Sequence, residues 1–369
     1  MQHRSEVKRS WRTSICIVVL LLTPIVGLHA DTIHTVTWEK TSLPFEASVY
    51  NLDVVWLYDP HSKSIFTGED KKGLFKSQDG GRSWRRVDDG SFRVQKPYDY
   101  IDTLKCEKDA LYSLVPLGAG TRIIESVVGK SWKPLWVQSK NQTDEVWGRV
   151  SRLWIDHRNK NKMYTQTMRY AEAPSPDSPE VARQLWSTDD SWNTYQKIAM
   201  LDEWTVGSTD VYDGKICFVE SGEQIKCSVD NGITWTRLSL SSISALIVED
   251  KKNNYEPIIN FDKTNGEIVI HWGRYLFKTK NKWKDIEKIL DVNGRLMDLI
   301  FHPLHTYPIY GIVLDNSNEP WKVARIDASG SIDLFPGPKE KGFRLKAVDF
   351  STSAIIMWGS SETFRGVLK

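Results

Sequence analysis

Beyond its first thirty residues this chain has no long apolar run, few cysteines, almost no amphipathic helical periodicity and no surplus of charge of either sign. Each absence narrows the field. With no later run near the ~18 residues a helical span needs, no membrane crossing is predicted after the N-terminal segment. The 49 Lys and Arg stand against 47 Asp and Glu. Setting aside Arg4, Lys8, Arg9, Arg12 and Glu6 leaves 45 basic and 46 acidic residues, so the basic balance belongs to the N-terminus. A near-neutral body argues against a nucleic-acid partner. The C-terminal TFRGVLK reads as neither an anchor nor a retention signal.

The N-terminus is of a different kind. MQHRSEVKRSWR carries four basic residues, the apolar ICIVVLLLTPIVGL follows, and HA precedes Asp31. A basic stretch, a short apolar core and a small residue at its end have the form of a secretory signal peptide. Residues 1–30 are read as that signal peptide, or as an N-terminal anchor if it is retained, with cleavage expected after Ala30. Residues 31–369 would then form one domain in the secretory lumen or outside the cell.

What the body does hold is tryptophan, β-branched residues and short apolar runs broken by Gly, Asn, Asp and Ser, a pattern of strands and turns. It also repeats. SQDGGRSW (Ser77 to Trp84) and SVDNGITW (Ser228 to Trp235) share Ser-x-Asp-x-Gly-x-(Ser/Thr)-Trp, 151 residues apart. Weaker copies are SVVGKSW at Ser126, STDDSWNTY at Ser187 with Asp189 as its acid, and TKNKW at Thr279. The aromatic anchors Trp84, Trp132, Tyr195, Trp235 and Trp283 are 48, 63, 40 and 48 residues apart, the period of propeller blades. A second repeat lies upstream: VWLYDPHSKSIF, LWIDHRNKNKMY and LIFHPLHTYPIY each end a strand in Asp or His, turn, and open the next strand.

The expected fold is therefore all-β, a β-propeller of four-stranded antiparallel blades. Fourth strands near Val87, Val137, Lys197, Leu238, Ile286 and Leu334 mark six blades. RLKAVDF, AIIMW and TFRGVL supply three strands of a seventh, which the N-terminal strand IHTVTWEK would complete, closing the ring. The fifth blade is the least regular, because ISALIVEDKKNNYEPIINFDKTNGEIVIHW offers more strand-like runs than four. In the boxes, Ser77, Asp79, Ser187, Asp189, Ser228 and Asp230 would hydrogen-bond a tight turn. Gly81 and Gly232 would permit positive φ, and Trp84 and Trp235 would pack beneath with an indole N–H in need of a partner. These residues are read as structural, with no catalytic residue, metal or cofactor assigned.

The pattern is that of the Asp-box, or BNR, repeat. With VWLYDP, LWIDHRNKNKMYTQT, LFKSQDGGRSW and IKCSVDNGITW around it, the chain resembles, diffusely over most of residues 31–369, the Vps10 domain of sortilin-type receptors. That resemblance implies a non-catalytic receptor-like propeller binding a protein or peptide ligand in the lumen, with a part in protein sorting such as Golgi-to-endosome transport. Vps10 domains have ten blades, followed by a cysteine-rich module, a membrane helix and a sorting tail. The resemblance therefore implies a shortened relative, or an incomplete ten-bladed propeller.

The remaining residues fit that reading. In KICFVESGEQIKC, Cys217 and Cys227 flank Gly222 symmetrically and would face each other across a hairpin as a disulfide, leaving Cys106 as a buried thiol. Asn141 opens the one glycosylation sequon, NQT. The alternative function is a glycan-acting Asp-box protein, sialidase-like, glucanase-like or lectin. A sialidase needs an arginine cluster with a tyrosine and a carboxylate. FRVQKP at Phe92 falls on the wrong side of the first box for that motif, so Arg93 is read as a loop residue. His302 and His305 in FHPLHT, and DVNGR at Asp291, are read as turns rather than metal sites. YAEAPSPDSPEV (Tyr170 to Val181) is read as an excursion between strands.

Overall fold

A four-stranded antiparallel sheet of short apolar strands has two sticky faces and can bury neither by itself, so it must find a neighbour on each side. In the computed structural model the described residues are 35–45, 54–93, 104–107, 110–117, 120–127, 131–137, 149–156, 158–170, 181–201, 209–221, 224–247, 257–314, 321–339, 343–359 and 362–368. Residues 1–30, the sequon at Asn141 and the Pro-rich residues 171–180 lie outside them.

The described strands pair into seven four-stranded antiparallel sheets. Sheet I runs from Val54–Asp59 to Arg85–Arg86, sheet II from Leu104–Glu107 to Lys133–Val137, and sheet III from Arg149–Ile155 to Gln196–Leu201. Sheet IV runs from Thr209–Tyr212 to Thr236–Ser239, sheet V from Ile258–Phe261 to Asp285–Asp291, and sheet VI from Arg295–His302 to Ile332–Pro336. Sheet VII joins the chain ends: Arg344–Asp349, Ala354–Trp358 and Thr363–Leu368 are completed by Val36–Thr41. Val36 lies opposite Leu368 and Thr41 opposite Thr363. The fold is an all-β propeller with four-stranded antiparallel blades.

Middle strands are covered on both faces. Every residue of Ile268–Trp272 and of Ala354–Trp358 is buried. That is why these strands read as unbroken apolar runs rather than alternating ones. Apolar clusters fill the spaces between consecutive sheets. Phe66, Leu74 and Leu111 lie between I and II, and Leu114, Leu153 and Met163 between II and III. Tyr164, Leu185 and Phe218 lie between III and IV. Ile65, Ala347 and Ile356 lie between VII and I, where the chain meets itself.

One stretch departs from its sequence reading. ISALI, strand-like by composition, lies in the helix Ser241–Ser244 and the 3-10 turn Ala245–Ile247. It sits between sheets IV and V and turns Ile243 and Ile247 into their shared cluster. With no ladder to join, its backbone closes hydrogen bonds on itself instead.

The closure carries a polar clasp. Arg365, only 4% exposed, donates from Nε to the Gly80 carbonyl at 2.8 Å and from Nη1 to Glu39 Oε1 at 2.7 Å. Thr41 Oγ1 donates to the Gly81 carbonyl at 3.0 Å. Both ends of the chain thus grip the first box turn. Replacing Arg365 by Met keeps much of the bulk but strands the Gly80 carbonyl. Urea unfolding should show a loss of about 2–4 kcal/mol, with limited proteolysis releasing the N-terminal strand first. Unchanged stability would mean that the clasp is dispensable.

Candidate functional site

The boxes were the first residues to place. Ser77 Oγ accepts from the Gly81 N–H at 2.7 Å and donates to Asp79 Oδ1 at 2.8 Å. Asp79 accepts from the Ser83 N–H at 2.9 Å and from Ser83 Oγ at 2.6 Å. Ser228, Asp230, Gly232 and Thr234 repeat the arrangement. Burial works to raise the Asp79 carboxyl, but the Ser83 and Ser77 bonds outweigh it and hold it at about 2. The Thr234 hydroxyl and amide, with Ser228, hold Asp230 at about 2.

The glycines have a second duty. A Cβ on Gly232 (φ 87°) would lie 2.0 Å from Ile198 Cγ2 of sheet III, and one on Gly81 (φ 91°) 2.6 Å from Ile356 Cδ1 of sheet VII. Each box therefore presses its turn against the preceding sheet. Trp84 meets Trp56 edge-on at 6.0 Å, and Trp235 meets Phe218 at 5.3 Å. The indole N–H of Trp84 is buried without a hydrogen-bond partner, against expectation.

The third box is misregistered in the sequence reading. Ser187 and Asp189 are not its acceptors: Ser187 pairs within the ladder opposite Tyr164, and Asp189 is exposed near Lys162. Thr188 and Asp190 do the work. Thr188 Oγ1 accepts from the Trp192 N–H at 2.9 Å, and Asp190 accepts from the Thr194 N–H at 2.8 Å and hydroxyl at 2.7 Å. Trp192 takes the glycine position at φ 70° and is buried between sheets II and III. Aligning Tyr195 with Trp84 would have exposed the shift. In sheet V, TKNKW borrows its carboxylate: Glu267 accepts from Thr279 Oγ1 at 2.6 Å and from the Lys282 N–H at 3.1 Å. There Trp283 Nε1 does find a partner, the Gly266 carbonyl at 3.0 Å.

Cys217 and Cys227 stand directly opposite in adjacent strands and are bonded. His302 Nδ1 accepts from the Leu304 and His305 N–H groups, and the two rings stack at 4.9 Å, so the pair serves a turn. Among the described residues no group of three His, Cys, Asp or Glu could hold a metal ion. Arg93 donates to the carbonyls of Gly90 and Phe92. Asp291 pairs with Arg274 and Lys288.

What the sequence reading missed lies on the first strands and at the seams they share. Polar groups cross these seams to backbone atoms of the next sheet. Arg152 Nη1 donates to the Thr209 carbonyl at 3.1 Å. Asp210 Oδ2 accepts from the Phe261 N–H at 2.7 Å, and burial pushes its carboxyl up against the pull of Lys263 and Lys105. His271 Nε2 reaches the Leu296 carbonyl at 3.0 Å, and Asp298 accepts from the Leu345 N–H at 3.2 Å. Asp298 sits at a bulge with φ 53°, a strained conformation for a residue with a Cβ. Burial and nearby Arg344 lower the Lys346 ammonium.

The seam between sheets III and IV carries several polar side chains. Arg152 lies opposite Gln166, and Arg183 opposite Met168 two residues along, so the three polar side chains share one face. That face carries Tyr164 and Leu185 and packs on sheet IV. Across from it stands Thr209, paired with Phe218 and 3% exposed, whose Oγ1 is buried with no partner. The signal was available: Arg and Gln interrupt strands that are otherwise apolar or β-branched.

No family model matches the chain, and no curated protein matches it. Solved structures share its fold. YCF48 from Cyanidioschyzon merolae is 13% identical with a TM-score of 0.52, over 89% of this chain and 98% of that one. YCF48 bound to D1 peptide is 13% identical with a TM-score of 0.53, over 90% and 95%. A streptogramin B lyase is 10% identical with a TM-score of 0.54, over 90% and 98%. At such identities the likeness defines the class, β-propeller, and nothing finer.

Two measurements test these assignments. Thr188→Val should cost about 1–2 kcal/mol in chemical denaturation, whereas Ser187→Ala should cost much less; the reverse order would restore the original register. Burial, His305 and Lys263 lower His302 to about 4. An unfolded imidazole binds its proton near 6.5, so stability should fall as pH drops from about 6.5 to about 4. After allowance for partial exposure the loss is on the order of 1–2 kcal/mol. His302→Asn, which can still accept the turn N–H bonds, should flatten that slope in pH-dependent melting; an unaltered slope would assign it to other groups.

Proposed function

We propose that this chain is a non-catalytic propeller of the secretory lumen that binds a protein or peptide, its seven sheets forming the blades of one closed wheel. The observation that carries this reading is the propeller fold, closed where Val36–Thr41 completes the last sheet. A propeller of the same fold is known bound to a peptide. The signal-like residues 1–30 and the Cys217–Cys227 bond favour an oxidising lumen. The sortilin-type resemblance extends the reading to cargo sorting; that extension rests on the box units alone.

The test uses residues 31–369, purified with the disulfide intact. Selection from a displayed peptide library should enrich sequences that bind with micromolar Kd, and fluorogenic sialosides and β-glucans should not be turned over. Turnover that survives repurification and disappears with first-strand substitutions would replace this reading with a glycoside hydrolase.

A further inference from the structure

The first strand of sheet VII, Arg344–Asp349, has a ladder partner along one edge only. In that ladder Leu345 faces Met357 and Ala347 faces Ile356, so Lys346 is an extra residue with no partner in the register. Its two neighbours go to different sides of the sheet: Leu345 joins the cluster shared with sheet VI, and Ala347 the cluster shared with sheet I. A bulge of this kind re-aims a side chain, and bulges gather beside functional sites. The adjoining strand of sheet VI is irregular too, at Asp298 with its φ of 53°.

Asp298 is the carboxylate that acts on Lys346, and it is already engaged. Its oxygens accept from Arg344 Nε at 2.9 and 2.7 Å and from the Leu345 N–H at 3.2 Å, and Arg344 Nη2 lies 2.7 Å from Oδ1. Among the described residues none gives Lys346 a hydrogen bond or an ion pair. The residue is only half-buried, and Nζ is not among the buried atoms without a partner, so solvent reaches the amine. Burial first, and Arg344 second, favour loss of its proton against the pull of Asp298. A lysine amine that sheds its proton readily while open to solvent is a nucleophile toward carbonyl carbon.

We propose that Lys346 is a covalent capture site for small aldehydes, a role independent of the peptide binding proposed above. The Nζ lone pair attacks the carbonyl carbon and a C–N bond forms. The carbonyl oxygen then leaves as water with the two protons of the amine, and a C=N bond to the lysine remains. Hydrolysis reverses the step, and no oxidant, reductant or co-reactant is consumed. Arg344 and Asp298 are positioning residues: they form no bond to the aldehyde and act on the amine through their charges.

The probe is benzaldehyde, added to the folded chain with its disulfide intact. A brief borohydride pulse fixes each imine, and peptide mapping ranks the lysines. At about pH 7.5 Lys346 should be labelled about threefold or more faster than the exposed lysines as a group. The excess should shrink toward about pH 10.5, where ordinary lysine amines are half neutral. Asp298→Asn keeps a residue that tolerates the left-handed φ but removes the charge that favours the ammonium, so labelling of Lys346 should rise. Arg344→Gln removes the repelling guanidinium and releases Asp298 to pair with Lys346, so labelling should fall to the group rate. Accessibility alone would give the opposite result, since the shorter glutamine opens the site. Labelling at or below the group rate, an excess that persists at about pH 10.5, or variants that leave the rate unmoved or move it the other way, overturns the proposal. Rapid labelling by para-carboxybenzaldehyde alone, suppressed by benzoate, makes Lys346 an anion-binding ammonium and also overturns it. Each of these results leaves the peptide-binding reading standing.

Discussion

The structure depends on mutual coverage of sheets that cannot stand alone. Each sheet has two apolar faces and needs two neighbours, so a row of them stays incomplete at both ends until the ends meet. Here the ends meet through a hydrogen-bonded ladder: Val36–Thr41, from the start of the fold, becomes the outer strand of the sheet built by its end. Opening the seam between sheets VII and I would uncover Ile65, Ala347 and Ile356 together with Trp56 and Trp84. Arg365 sits at that seam because its bonds reach the first box and the N-terminal strand at once.

Apolar coverage alone does not set how far one sheet slides or tilts against the next. Hydrophobic contact is non-directional, whereas hydrogen bonds are not. The box turns and the polar staples supply direction. Gly81 and Gly232 dock on the preceding sheet, while Arg152, Asp210, His271 and Asp298 reach backbone atoms of the following one. The seam between sheets III and IV is held at both places, by Gly232 against Ile198 and by Arg152 on the Thr209 carbonyl. The boxes are repeated parts of the scaffold, and chemistry is to be sought elsewhere.

A wheel registered in this way can carry a few polar side chains in a seam without losing order. The III–IV seam uses that tolerance. Tyr164, Leu185, Ile216 and Phe218 pack in it beside Arg152, Gln166, Arg183 and Thr209.

Local chemistry was legible in the sequence. Trp spacing, Asp-led hairpin turns and the two strict boxes predicted four-stranded antiparallel blades, because turn residues and period-bound aromatics report on their own few neighbours. Where neighbours did not constrain the reading, it slipped: by one residue at Thr188 and Asp190, since two adjacent acids fit the pattern, and into strand for ISALI, since composition cannot tell a short helical turn from a strand. The borrowed Glu267 in sheet V and the convergence of Arg152, Gln166, Arg183 and Thr209 were invisible for a deeper reason. Their members come from different strands, and which face each takes depends on pairing register and on a bulge after Val150. Sequence by itself determined the repeating unit and its turns; only the tertiary structure decided which polar side chains meet across a seam, because that choice is made by packing between units far apart in the chain.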